Sequence, residues 1–171
     1  MSTDYLPKIT PRDLGFLEAM LDGGLDGGEK LIGAIRSKLQ RAQIVFADDM
    51  PANVVTLGTR LAFQVDDRPI DERTLVTVEQ YAPGQGHQSI ASARGIAMLG
   101  LAEGNFIEFE REDRTELLSI IQVLYQPEAD RKRRKAPAGL RVVSSREDLA
   151  RPAAAKRSSH PQNDDPGPSA A

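Results

Sequence analysis

The apolar positions between Ser89 and Tyr125 fall into short alternating blocks. Ser92 is placed to N-cap a helix whose apolar positions are Ile96, Met98 and Leu99, and Gly100 supplies the positive φ that ends it. Gly104-Asn105 is a turn signal. Ile107 and Phe109 then alternate with Glu108 and Glu110, which predicts a strand with one buried and one wet face. The next strand, Glu116 to Tyr125, is apolar on nearly both parities: Leu118, Ile120 and Leu124 on one, Leu117, Ile121, Val123 and Tyr125 on the other. Such a strand is expected at the centre of its sheet with a layer over each face. This block alone predicts an α+β core.

Upstream the period changes to that of a helix. Thr10-Pro11-Arg12-Asp13 carries a start signal, with Thr as N-cap, Pro at the first helical position and Asp in the first turn. Leu14, Leu17 and Leu21 follow at steps of three and four. Four glycines between Gly23 and Gly28 interrupt the helix. A second helix is predicted from Glu29 to Ala42 on the seam Ile32, Ile35, Leu39 and Ala42. The pair reads as an antiparallel hairpin or as two helices packed flat on a sheet. Residues 1–9 read as a flexible leader. Asp48 to Pro51 reads as a linker, because Pro51 stops a helix. Val54 to Val65 is predicted as a strand bent at Gly58, and Arg73 to Gln80 as another, with a turn at Asp66 to Pro69. His87 falls in a Gly-rich loop.

The composition changes after Glu128. Arg131, Lys132, Arg133, Arg134 and Lys135 form a basic cluster, and the rest is rich in Ala, Pro, Ser and Arg with one apolar patch, Leu140 to Val143. Too little apolar surface is present to offset ordering entropy, so residues 131–171 are expected to be a disordered basic tail. They hold ten Lys/Arg and four Asp/Glu, net +6; residues 1–130 hold the remaining 12 basic and 21 acidic groups, net −9. An acidic body disfavours nucleic-acid binding, and the cluster promises at most a weak, non-specific, salt-sensitive contact. The absence of cysteine excludes disulfides and thiol chemistry and suits a reducing cytoplasm. Neither a secretory leader nor a long apolar span is read, so no membrane partner is expected.

The block from Ser92 through Leu99-Gly100-Leu101 and Gly104 to Leu124-Tyr125 resembles the C-terminal domain of the Gre transcript-cleavage factors. The fuller resemblance is to the Rnk family, the regulators of nucleoside diphosphate kinase. It rests on Arg41-Ala42-Gln43, Asp48-Asp49-Met50-Pro51, Asn53-Val54-Val55-Thr56 and Gln126-Pro127-Glu128-Ala129, and covers residues 10 to 130. The chain departs from the pattern at Ser92-Ala93, where the family has Ser-Pro, and at Gly104-Asn105, where it has Gly-Asp. The resemblance favours the hairpin, a short coiled coil over 10–47. It implies an FKBP-like antiparallel sheet domain with one short helix over 48–130. It further implies a non-enzymatic regulator that binds bacterial RNA polymerase at the rim of the secondary channel and competes with Gre-type factors.

Three groups of residues are candidates for that function. The resemblance places a docking region around Ser92, Arg94, Gly95, Gly100, Gly104 and Asn105. Asp22, Asp26 and Glu29 crowd the hairpin tip, where Gre factors carry acids that help hold a catalytic Mg²⁺. A helix of about 14 residues spans only roughly 21 Å, and a glycine-rich tip is poorly preorganised for a metal. Hence no catalytic residue, metal or cofactor is expected. Transcript cleavage through the acidic tip and FKBP-like prolyl isomerisation are the alternatives; the latter wants an aromatic-lined pocket, and the chain has no Trp. The third group is the basic cluster. A nucleoside diphosphate kinase needs a phosphate-accepting histidine, yet only His87 and His160 are present, without Asn-x-x-His-Gly-Ser surroundings, and no Walker motif occurs. The family's name is therefore read as denoting a regulatory effect.

Overall fold

A computed structural model describes residues 5–23 and 28–136. The chain enters through β1 (Lys8–Ile9), and Thr10 caps α1 (Pro11–Asp22): its Oγ1 accepts the Asp13 N–H at 3.0 Å. Leu17 is fully buried and Leu14, Phe16, Met20 and Leu21 pack around it. Then follow α2 (Gly28–Arg41) and β2 (Gln43–Ile44), which runs parallel to β1. The expected flexible leader is thus corrected from residue 5 onward. Ile9 is fully buried, and Lys8 N–H donates to the Gly100 carbonyl at 3.1 Å, so the segment is held by both packing and pairing.

β3 (Arg60–Val65), β4 (Asp71–Val76) and β5 (His87–Ser89) come next. α3 (Ala93–Met98), β6 (Phe106–Arg111), β7 (Arg114–Tyr125) and α4 (Pro127–Lys135) complete the described chain. The sheet order is β5-β4-β3-β7-β6, antiparallel except for the parallel β4–β5 pair, so it is mixed rather than wholly antiparallel. His87 opens β5 instead of lying in a loop. The strand expected from Val54 begins only at Arg60, because Thr56 to Thr59 turn sharply: Thr56 N–H donates to Thr59 Oγ1, and Gly58 takes φ 89°.

One core joins helices and sheet. Leu17, Leu31 and Ile35 belong to the same buried cluster as Phe63, Leu75, Ile96 and Ile120. Packing against the sheet layer therefore describes α1 and α2 better than a freestanding coiled coil. The α2 seam is Leu31, Ile35 and Lys38; Ile35 lies on the expected line, and Leu39 and Ala42 from that line pack partly buried beside it. Lys38 takes a seam position because its stem packs like an aliphatic chain while its ammonium reaches the carbonyls of Ala97, at 3.1 Å, and Leu99. β7 also departs from expectation. Glu116, Leu118 and Ile120 are buried, but Leu117, Ile121, Leu124 and Tyr125 are each about two-fifths exposed. Helices cover one face only, and register shifts opposite Arg60/Leu61 and Ala62/Phe63 re-aim the end of the strand.

α3 crosses the end of β5 at Gly95, where an added Cβ would lie 2.1 Å from the Ser89 carbonyl oxygen. That contact is with backbone and cannot swing away. Gly95→Ala is expected to destabilise the fold by about 2–3 kcal/mol, read as a lower urea midpoint with an unchanged slope.

Candidate functional site

Ser92 organises the first turn of α3. Its Oγ accepts the Gly95 N–H at 3.0 Å and the Gln88 amide at 2.7 Å, and donates to the Ser89 carbonyl at 2.7 Å. These bonds use the hydroxyl's full capacity. Beside it, Arg94 lies over the Phe63 ring, 5.9 Å from its centroid, with Nη2 3.8 Å from Glu116 Oε2. Glu116 is buried on the inner face of β7 and takes a second arginine, Arg68, at 3.0 Å. Burial, then the Arg111 charge, disfavour the Arg94 cation. Its Nε is buried with no hydrogen-bond partner among the described residues.

The glycines of this region serve the fold. Gly95 and Gly100 are buried, and a Cβ on Gly100 would meet Pro7 at 2.9 Å. Gly104, at φ 82°, makes the turn into β6, and Asn105 accepts the Ile120 N–H at 2.9 Å. Burial therefore removes Gly95 and Gly100 from any contact surface and leaves Ser92, Arg94, Gly104 and Asn105 as the reachable members.

At the hairpin tip, Asp22 closes α1 and Glu29 opens α2; both are exposed and neither joins an ion pair among the described residues. Asp26 lies outside the described residues. Among these, no group of three or more potential metal-ligating side chains is found.

The basic cluster corrects the expected tail. Arg131 to Lys135 form the last turns of α4, and residues 137–171 lie outside the described residues. Acids in the first turn and bases in the last suit the helix dipole. Lys132 donates to the Met50 carbonyl at 2.8 Å, Arg134 pairs with Asp130 at 2.9 Å, and Lys135 faces Asp48 at 3.6 Å. Only Lys132 is held by a carbonyl of the body; Arg134 and Lys135 stay largely exposed, and their surface pairs are weak.

What fixes α4 is a buried polar clasp that sequence reasoning missed. Gln126 donates to the carbonyls of Pro51 and Val54 at 2.8 and 2.6 Å. Pro127 packs on Gly58, and Glu128 Oε2 accepts from Thr56 Oγ1 at 2.7 Å. Asp13, only 1% exposed, lies close enough for its charge to be felt. Burial, then the Glu128 charge, push the Asp13 carboxyl up to about 6. The signal in the sequence was Gln126-Pro127-Glu128 directly after an apolar strand, a polar pair with no solvent-facing reason to be there.

No family model matches the chain. It is 30% identical over 127 residues to the regulator of nucleoside diphosphate kinase of Escherichia coli strain K12, covering 72% of this chain and 93% of that protein. The identity and coverage are the same for the protein of that name from Shigella flexneri. Among solved structures, the prokaryotic transcription elongation factor GreA/GreB from Nitrosomonas europaea superposes with a TM-score of 0.55 at 27% identity, over 71% of this chain and 99% of that one.

The clasp sets a pH dependence. A carboxyl whose pKa rises from an unfolded value of 3.8 to about 6 binds its proton more tightly when folded. Its contribution to stability is full below pH 4 and lost as pH rises through 6. Asp13→Asn is expected to stabilise the protein by about 1–3 kcal/mol at pH 7.5 and to change little at pH 4. Urea unfolding at the two pH values reads the difference.

Proposed function

This chain belongs to the family of regulators of nucleoside diphosphate kinase, and from that premise we propose that it is a non-enzymatic transcription regulator. In this reading it binds RNA polymerase at the rim of the secondary channel and competes there with Gre-type elongation factors. The similarity to a GreA/GreB elongation factor supports the choice of partner. The observation that carries the reading is how the N-terminal helices spend their length. α2 has 14 residues, and Leu31, Ile35 and Lys38, spanning more than half of it, are buried against the body. Less than one turn precedes Leu31 on the side of the acidic tip. A tip that delivers carboxylates to a distant active centre needs free helix length, and this pair has little. The protein would therefore occupy the rim without supplying a metal-binding tip. Its docking face is the surface around Ser92, Arg94, Gly104 and Asn105. The family's name then denotes an effect on the kinase rather than kinase chemistry, and a polymerase partner places the protein in the cytoplasm.

The test is binding to core RNA polymerase with a Gre factor as competitor, followed by transcript cleavage on a backtracked complex. Mutual displacement without stimulated cleavage is expected. Arg94→Ala should weaken binding about tenfold, while Asp22→Ala with Glu29→Ala should change it less than about twofold. Stimulated cleavage that disappears with the tip substitutions would replace this reading with that of a cleavage factor. Failure to bind polymerase would remove both.

A further inference from the structure

The sheet ends on an open strand. β6 is its last member and pairs only with β7 among the described residues. Glu112 and Asp113 take positive φ, 47° and 64°, so Arg111 and Arg114 close a two-residue turn. At the other end of β6, Ile120 N–H donates to the Asn105 carbonyl at 2.9 Å. Both ends fix the same parity: Asn105, Ile107, Phe109 and Arg111 turn their backbone groups toward β7. Phe106, Glu108 and Glu110 turn theirs outward, and those groups make no hydrogen bond among the described residues.

A trough of about 920 Å³ borders this edge. Every residue of β6 lines it, with Leu31 and Ala34 of α2 and Ile96 and Ala97 of α3 across from them. Ile107 and Phe109 lie on the helix-covered face and are only half-buried, while Glu108 and Glu110 alternate onto the uncovered face and are exposed. A strand added to β6 would extend both faces. Its residues of one parity would enter the trough beside Ile107 and Phe109, and those of the other would stand beside Glu108 and Glu110.

Charge decides the occupant. The bases on the trough are engaged or distant: Lys30 pairs with Asp113, Arg111 with Glu112, and Lys38 is held by the Ala97 and Leu99 carbonyls. Arg41, the last residue of α2, is at the opposite end from Lys30. Glu108 and Glu110 join no ion pair among the described residues. A second copy of β6, paired antiparallel, would set these carboxylates against their own copies, which disfavours self-association through this edge. A cationic strand meets no such penalty.

We propose that β6 is a docking edge for an extended protein segment in which apolar residues alternate with lysine or arginine. Its backbone adds a strand to the five-stranded sheet at Phe106, Glu108 and Glu110, its apolar side chains fill the trough, and its cations stand against Glu108 and Glu110. The Lys30–Asp113 link joins α2 to the β6–β7 turn, so the segment runs along Phe106 to Glu110 and stops short of that turn. The inference goes beyond the polymerase reading and does not depend on it.

The full chain is titrated into a fluorescein-labelled, end-capped peptide of alternating valine and lysine, and anisotropy is followed. Saturable one-to-one binding is expected. A peptide of the same composition with its valines and lysines in separate blocks should bind at least about tenfold more weakly, as should one with serine in place of valine. N-methylation of one alternate set of peptide amides should abolish binding while methylation of the other set is tolerated, the signature of strand addition. Proline suits an edge strand where its nitrogen faces out. Glu108→Pro should therefore keep the circular dichroism spectrum and weaken the peptide about tenfold. Glu108→Lys with Glu110→Lys, both at exposed positions, should reverse the preference toward a valine–glutamate peptide. Absence of binding, equal binding of the block peptide, tolerance of both methylated sets, or an unreversed preference in the double lysine variant would each overturn the proposal.

Discussion

A single buried ammonium holds the architecture together. Lys38 sits inside the protein with its charge against the carbonyls of Ala97 and Leu99, at the C-terminal end of α3. That end of a helix presents unpaired carbonyls and partial negative charge, so a cation there satisfies both. Burial, then the neighbouring Arg41 charge, lower the Lys38 pKa to about 7. The cost of burial is offset only while both carbonyls stay in place. Lys38 thus fixes the register of α2 against α3, and with it the placement of α1, the spacing across to β6, and the surface that Ser92 and Arg94 present.

The physics of single elements was legible in the residues. The Thr10 and Ser92 caps, the turns at Gly100 and Gly104, and the half-wet β6 follow from short-range rules, and the structure places them as those rules require. What escaped depended on partners distant in sequence. Nothing local to Lys8–Ile9 announces a strand, since its pairing is supplied by Gln43–Ile44. The apolar parity of β7 could not say which face would lack a cover. A lysine in a helix reads as solvent-facing until its carbonyl acceptors, some sixty residues away, are known.

The candidate site divides in the same way. Family resemblance pointed to the stretch from Ser92 to Asn105, but its three glycines, Gly95, Gly100 and Gly104, are needed by the backbone rather than by any partner. The chemistry that remains there is cationic, carried by Arg94 and Arg111 around the buried Glu116.

The strand order has a further consequence for how the molecule comes into being. β3 lies at the middle of the sheet, with β4, a short turn downstream, on one side and β7 on the other. β7 is nearly the last element of the body, and the Gln126–Glu128 clasp follows it at once. The centre of the sheet therefore stays half-paired until almost the whole body has left the ribosome, and only local helices and the β3–β4 hairpin form earlier. Closing so long a loop slows folding and leaves an unsatisfied edge in the nascent chain. This topology makes folding late and nearly all-or-none during synthesis, with chaperone contact concentrated on β3 in the interval before β7 arrives.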